Sequence, residues 1–400
     1  MRLGDIVAFR RDLLFNGAVQ IGWLETDPRL AEKAAEHFAF HGPSYHGAAR
    51  EVLRDDSLQL IDTASFTLDI LERVTGARAD EPFALAIAGY GTGKSHLGVT
   101  MASLFGAPSS AVAAKIIANL SSADKEVADK AREILGQLHQ PFLVVAINGM
   151  RDFDLTAEIV RQVMLVLRER GLDTSALEDL RPRFRQAINF VESFFEPLQA
   201  EFHEVFAGAR GPTDVVERLK NQDEEAFRLV NAIYERKLGY SIRAAGQESL
   251  HEFLRVAGET YCGSGRPFAG ILIIFDEFGR YLEFAVQRPH ISGPGALQQL
   301  FESVQANVGK VFLLALIQYE LRAYVSRVAP ELRDDLQRYV TRYDAVRKVR
   351  LSTNLETLIA NLLEKKDFTA LARHLAAQTE SADTIRDYMA RWFPDLRNHA

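Results

Sequence analysis

The stretch Ala88-Gly89-Tyr90-Gly91-Thr92-Gly93-Lys94-Ser95 has the residue types and order that suit a polyphosphate. A phosphate chain needs a concave ring of backbone amides, and only small residues let the backbone curl that tightly. Gly89, Gly91 and Gly93 supply the curl, and a following helix turns its free amides and positive dipole end toward the same anion. Lys94 is then placed to reach the β/γ phosphates and Ser95 to ligate Mg²⁺. The nucleotide-contacting set is expected to be Gly89, Tyr90, Gly91, Thr92, Gly93, Lys94, Ser95 and His96. A second constellation lies downstream, where the apolar run Ile271 to Phe275 ends in Asp276-Glu277. A buried strand ending there puts Asp276 at the carboxyl edge of a sheet, where it suits a Mg²⁺ held through water, and Glu277 suits the polarisation of an attacking water. Alone, the first stretch is an ordinary tight turn and the second a capping acid pair. Together they predict Mg-ATP binding and hydrolysis.

These residues need particular elements around them. Phe83 to Ala88 reads as a buried parallel strand and Ser95 to Phe105 as a helix, giving the strand, loop and helix that a phosphate cradle requires. Pro141 to Ile147 reads as a further buried strand ending at Asn148-Gly149. The helix after it carries Leu155, Ile159, Val160, Val163, Met164 and Leu167 on one face, with Asp154 as cap and Gly171 as stop. Val311 to Ile317 is another strand, and Ala345 to Leu351 a fifth. Upstream, Ile6 to Phe9 and Ala18 to Ile21 around Asn16-Gly17 read as a hairpin. Asp27-Pro28 reads as a helix start, and Leu58 to Val74 as a helix stopped at Gly76. His37, His41 and His46 are too irregularly spaced, and too short of cysteine partners, to favour a metal site over local bonding.

The resulting fold class is α/β, a P-loop parallel sheet flanked by helices, with a large helical insertion and a C-terminal helical lid. The domain reading is 1–57 an N-terminal mixed segment, 58–171 the first part of the core, 172–265 the insertion, 266–352 the second part of the core, and 353–400 a partial lid. At 400 residues, 47% apolar, the chain can bury a large core. One cysteine, Cys262, excludes an internal disulfide and fits a reducing cytoplasm. The apolar runs fall well short of the roughly 20 residues that span a bilayer, so no membrane anchor is expected. A net charge of -7 gives no global attraction to nucleic acid, though a local basic face for DNA stays open.

Ala88 to Ser95 and Asp276-Glu277 resemble the corresponding motifs of AAA+ and related STAND ATPases over residues of about 80–350, with Ala88 standing where the first glycine of the loop is usual. That resemblance implies an ATP phosphohydrolase using ATP and Mg²⁺, acting as a homo-oligomer on a protein or DNA partner. It implies a sensor role for Gln318, just past the strand Val311 to Ile317, although a glutamine bonded within the structure would look the same. Arg338 and Arg342, before Tyr343-Asp344, resemble the arginine pair that acts on a neighbouring subunit's nucleotide, with one extra residue in the spacing. Arg280 is open between facing nucleotide and capping a turn. Arg333, Arg347, Lys348 and Arg350 read chiefly as a solvated basic face. The acids lie 182 residues beyond Lys94, so the insertion is a specialised element. Large ATPases of bacterial phage-defence islands, of the BREX type, look similar in carrying an elaborated module of this kind. The competing expectation is a nucleotide-gated oligomeric switch or scaffold with slow hydrolysis. A small-molecule kinase lacks a visible acceptor pocket and lid, a GTPase the Asn-Lys-x-Asp motif, and an ABC ATPase the Leu-Ser-Gly-Gly signature.

Overall fold

A computed structural model describes residues 7–42, 59–76, 81–206, 211–242, 249–344, 346, 348–351, 362–366, 369, 370 and 373, except Leu14, Asn16, Tyr90 and Pro294. Its strands are β1 (Val7–Phe9), β2 (Gln59–Ile61), β3 (Phe83–Ile87), β4 (Leu143–Asn148), β5 (Ile271–Asp276), β6 (Val311–Ile317), β7 (Lys348–Leu351) and β8 (Leu363–Lys365). Six of them form one sheet in the order β2-β7-β3-β6-β5-β4, every pairing parallel. The architecture is therefore α/β, a six-stranded parallel sheet flanked by helices.

Every residue of β3, β5 and β6 is buried, which explains why these strands read as unbroken apolar runs rather than as alternations. Successive side chains point to opposite faces of a strand. Ile271, Ile273 and Phe275 thus join Leu313, Ala315 and Ile317 in one core, and Leu272 and Ile274 join Leu314 and Leu316 in the other. The first core is covered by the helices Leu155–Glu169, Leu250–Tyr261, Phe278–Gln287, Ala296–Ala306 and Arg333–Asp344. The second is covered by Pro28–Glu36, Thr63–Val74, Lys94–Gly106, Ala111–Ala123 and Lys125–Gln137.

Local signals set several helix starts. Asp27 accepts from the Leu30 amide ahead of Pro28, and Asp154 from the Ala157 amide. Three expectations change. Leu58 to Val74 is not helical throughout: Gln59–Ile61 is β2, and Asp62 caps a helix that begins at Thr63. Val7–Phe9 pairs antiparallel with Leu363–Lys365 instead of with Ala18 to Ile21, so a long-range partner replaces the local hairpin. Leu363–Lys365 correspondingly departs from the helical pattern read beyond Asn354. Most of 353–400, His46 and Arg347 lie outside the described residues.

Between 172 and 265 every described helix or strand is a helix. Phe184 to Ile242 bury a core of their own around Phe190, Phe202, Phe227 and Val230, whereas Leu250–Tyr261 joins the main sheet's core. Among the described residues no helix is long and apolar enough to cross a membrane.

Candidate functional site

The register gathers the chemistry at one edge. Ile87 pairs with Ile317 and Phe275 with Ala315, so the carboxyl ends of β3, β6 and β5 open on the same side, and the Ala88 amide donates to the Ile317 carbonyl at 3.0 Å. One strand, β6, separates β3 from β5, and two inter-strand steps span about 10 Å. Lys94 crosses that gap: its Nζ lies 3.1 Å from Oε1 of Glu277.

The loop after β3 turns through left-handed backbone at Gly91 (φ 75°) and Gly93 (φ 84°), where an L side chain would be strained. Thr92 ties the loop internally, its hydroxyl donating to the Gly89 carbonyl at 2.7 Å. Gly93 caps the helix Lys94–Gly106, whose first internal bond runs from the Leu97 amide to the Gly93 carbonyl. The amides of Lys94, Ser95 and His96 therefore lack an acceptor within their helix and face the loop, as an anion cradle demands. The His96 ring does not share this direction. Its Nε2 lies 2.6 Å from the Ala34 carbonyl, its ring stands edge-on to Phe38, and burial holds its pKa below the ordinary histidine value. His96 can therefore offer an anion its backbone amide but not its ring. Tyr90 lies outside the described residues.

Asp276 is 3% exposed. Burial pushes its carboxyl above the usual range, the nearby Ser95 hydroxyl works against that, the Glu277 charge adds to it, and Lys94 opposes it. A buried carboxylate beside a serine hydroxyl and a lysine is a donor set that fits a magnesium phosphate, since a dication at this point would favour the ionised acid. Glu277 follows with φ 54°, one of two non-glycine residues with positive φ among the described ones, and its amide donates to Oδ1 of Asp276 at 3.0 Å. Such backbone costs about 1–3 kcal/mol and persists only where the surroundings impose it.

Gly149 is part of what imposes it. Its amide donates to the Asp276 carbonyl at 2.8 Å, and a Cβ at 149 would stand 2.4 Å from the Glu277 carbonyl oxygen. Gly149→Ala is expected to lower stability by about 1–3 kcal/mol, read as a drop in the urea midpoint. An unchanged midpoint would show that the turn opens freely. The Asn148-Gly149 strand stop was visible in the sequence, but its seat on the acidic turn was not.

Gln318 lies just past β6, its amide donating to the Tyr324 hydroxyl at 3.2 Å. Arg280 donates to Asp152 at 3.0 Å and lies over the Phe284 ring. Arg338 pairs with Asp335, its side chain 78% exposed, and Arg342 sits in the last turn of the same helix. Among the described residues, no hydrogen bond or ion pair joins either arginine to Lys94, Asp276 or Glu277. His37 Nδ1 lies against the Lys33 carbonyl at 2.6 Å, and among the described residues no group of three His, Cys, Asp or Glu is arranged to hold a metal. A cavity of about 220 Å³ beside Glu25, Gln162 and Arg170, at β4, includes none of the loop residues. Compared with known proteins, the chain matches no family model, no curated protein and no solved structure.

Proposed function

We propose that the chain binds Mg-ATP and hydrolyses it, coupling nucleotide state to the assembly or remodelling of a macromolecular partner in the manner of the AAA+ ATPases it resembles, in anti-phage defence or DNA transactions. The observation that carries this reading is the meeting of Lys94 with Glu277 at 3.1 Å, from stretches far apart in the chain. A glycine turn or an acid pair alone needs no such partner. In this reading the amides of 94 to 96 cradle the β and γ phosphates, with Lys94 on the outer oxygens. Ser95 and Asp276 would hold a magnesium ion, which would supply positive charge beside the phosphates. Glu277 takes the proton of the attacking water, with Gln318 at the far side of the same water.

The Lys94–Glu277 pair also supports the slower alternative, a nucleotide-gated switch, because without nucleotide the proposed base is tied up by the phosphate-binding lysine. Turnover against protein concentration separates the two. An enzyme completed by a neighbour's Arg338 or Arg342 turns over faster per chain as it assembles, and Arg338→Ala or Arg342→Ala lowers hydrolysis with little change in ATP affinity. Collapse of affinity in those variants would sink the trans-acting role. Flat, slow turnover at every concentration supports the switch, and stimulation by duplex DNA points to a DNA partner.

A further inference from the structure

The turns that carry Glu277 and Gln318 meet on one buried side chain. Tyr324, in the short helix Leu321–Val325, is 3% exposed. Its hydroxyl oxygen accepts two backbone N–H groups, from Gln318 at 3.2 Å and from Tyr319 at 3.3 Å. These amides lie just past the end of β6, so without the phenol they would need another acceptor. On its other side the ring rests on Gly279, the second residue of the helix capped by Glu277. A Cβ at 279 would lie 2.1 Å from Cζ and 2.4 Å from both Cε2 and Oη of Tyr324, so glycine is what lets the phenol reach this turn. Burial is the main influence raising the hydroxyl's pKa, and the Glu277 carboxylate is near enough to add to it. From the solvent side, the Arg327 guanidinium stands 4.0 Å from the Tyr319 ring centroid and 5.4 Å from that of Tyr324, closing the assembly.

We propose that Tyr324 is a positioning residue for the hydrolytic step, fixing the distance between Glu277 and Gln318 by bridging the two turns that present them. The inference rests on the ATPase reading above. A rigid aromatic suits the task, because its ring seats on Gly279 while its one polar atom, at the far tip, holds the second turn. Both proposed groups must address a single water, and a small displacement of either costs rate rather than binding. A tyrosine serving only to fill the core would affect stability alone.

Tyr324→Phe separates these roles, since the ring stays on Gly279 and only the acceptor is lost. The expected result is ATP affinity within about twofold of wild type, kcat lower by about tenfold, and faster amide exchange at Gln318 and Tyr319. Gly279→Ala, which displaces the ring but keeps the hydroxyl, is expected to give the same split between KM and kcat. Full kcat in Tyr324→Phe, beside an active wild type, overturns this inference and leaves the ATPase reading standing, as does a loss confined to ATP affinity. A wild-type chain that cleaves no ATP overturns the ATPase reading, and the positioning role with it.

Discussion

Glu277→Gln is expected to cleave Mg-ATP at least about 100-fold more slowly than the wild-type chain while binding it more tightly. The first half follows from the loss of a proton acceptor at the end of β5. The second follows from the pair that Glu277 makes with Lys94. Both side chains are largely buried, 7% and 21% exposed, and Nζ sits 3.1 Å from the carboxylate. Before Lys94 can face a phosphate, that contact must open. A glutamine keeps the shape and can still hydrogen-bond, but it carries no charge to compete with the incoming anion. The competition removed is worth about 1 kcal/mol, or roughly a fivefold gain in affinity, as befits an ion pair that water partly reaches. Equilibrium binding of a fluorescent ATP analogue and single-turnover cleavage measure the two halves independently. Cleavage at the wild-type rate would remove Glu277 as the base, and unchanged affinity would mean that the pair does not compete with nucleotide.

Much of this site was legible in the sequence because its parts are local. Three glycines before Lys94-Ser95 mark a turn with left-handed backbone, and the all-apolar strand before Asp276 marks a buried parallel strand, since both faces of such a sheet are covered. Asp27, Asp154 and Gly171 advertised helix ends within a few residues of themselves. Long-range geometry left weaker traces. Nothing near Val7 says that its partner is Lys365 rather than Ala18 to Ile21, and a two-sided hairpin pattern cannot reveal a strand supplied from the far end of the chain. Gln59–Ile61 merged into the helix after it because three apolar-rich residues fit either period. Gly279 and Tyr324 carried no signal of their own, and Gly149 only that of a strand end. Each matters through a close approach to a residue distant in sequence, which only the folded chain brings about. The motif also says nothing of where the His96 ring goes: it lies on the face of the helix that packs against Ala34 and Phe38.

Lys94→Ala should weaken Mg-ATP binding by about 100-fold or more, because it removes a side-chain cation placed to meet the outer phosphates, and charge-assisted contacts in a partly dry site are strong. It should also disturb the empty protein, in a way that depends on pH. Asp276 is raised chiefly by burial, brought back by the nearby Ser95 hydroxyl, raised again by Glu277 and lowered by Lys94. Deleting the lysine takes away one of the lowering influences, so the carboxyl moves further above its unfolded value of about 3.9. A carboxyl whose folded pKa lies above the unfolded one holds its proton more tightly in the folded chain. Its penalty is absent below the unfolded value, grows as pH rises toward the folded value, and is complete above it. The variant's stability deficit against wild type is therefore expected to be larger at pH 7 than at pH 4, as read from urea midpoints at the two values. Magnesium added alone at pH 7 should recover part of the deficit, since a cation beside Asp276 replaces the lost charge. A deficit of equal size at both pH values would mean that Lys94 does not set the ionisation of Asp276. Near-normal ATP binding by the variant would mean that the loop's amides hold the phosphates without it.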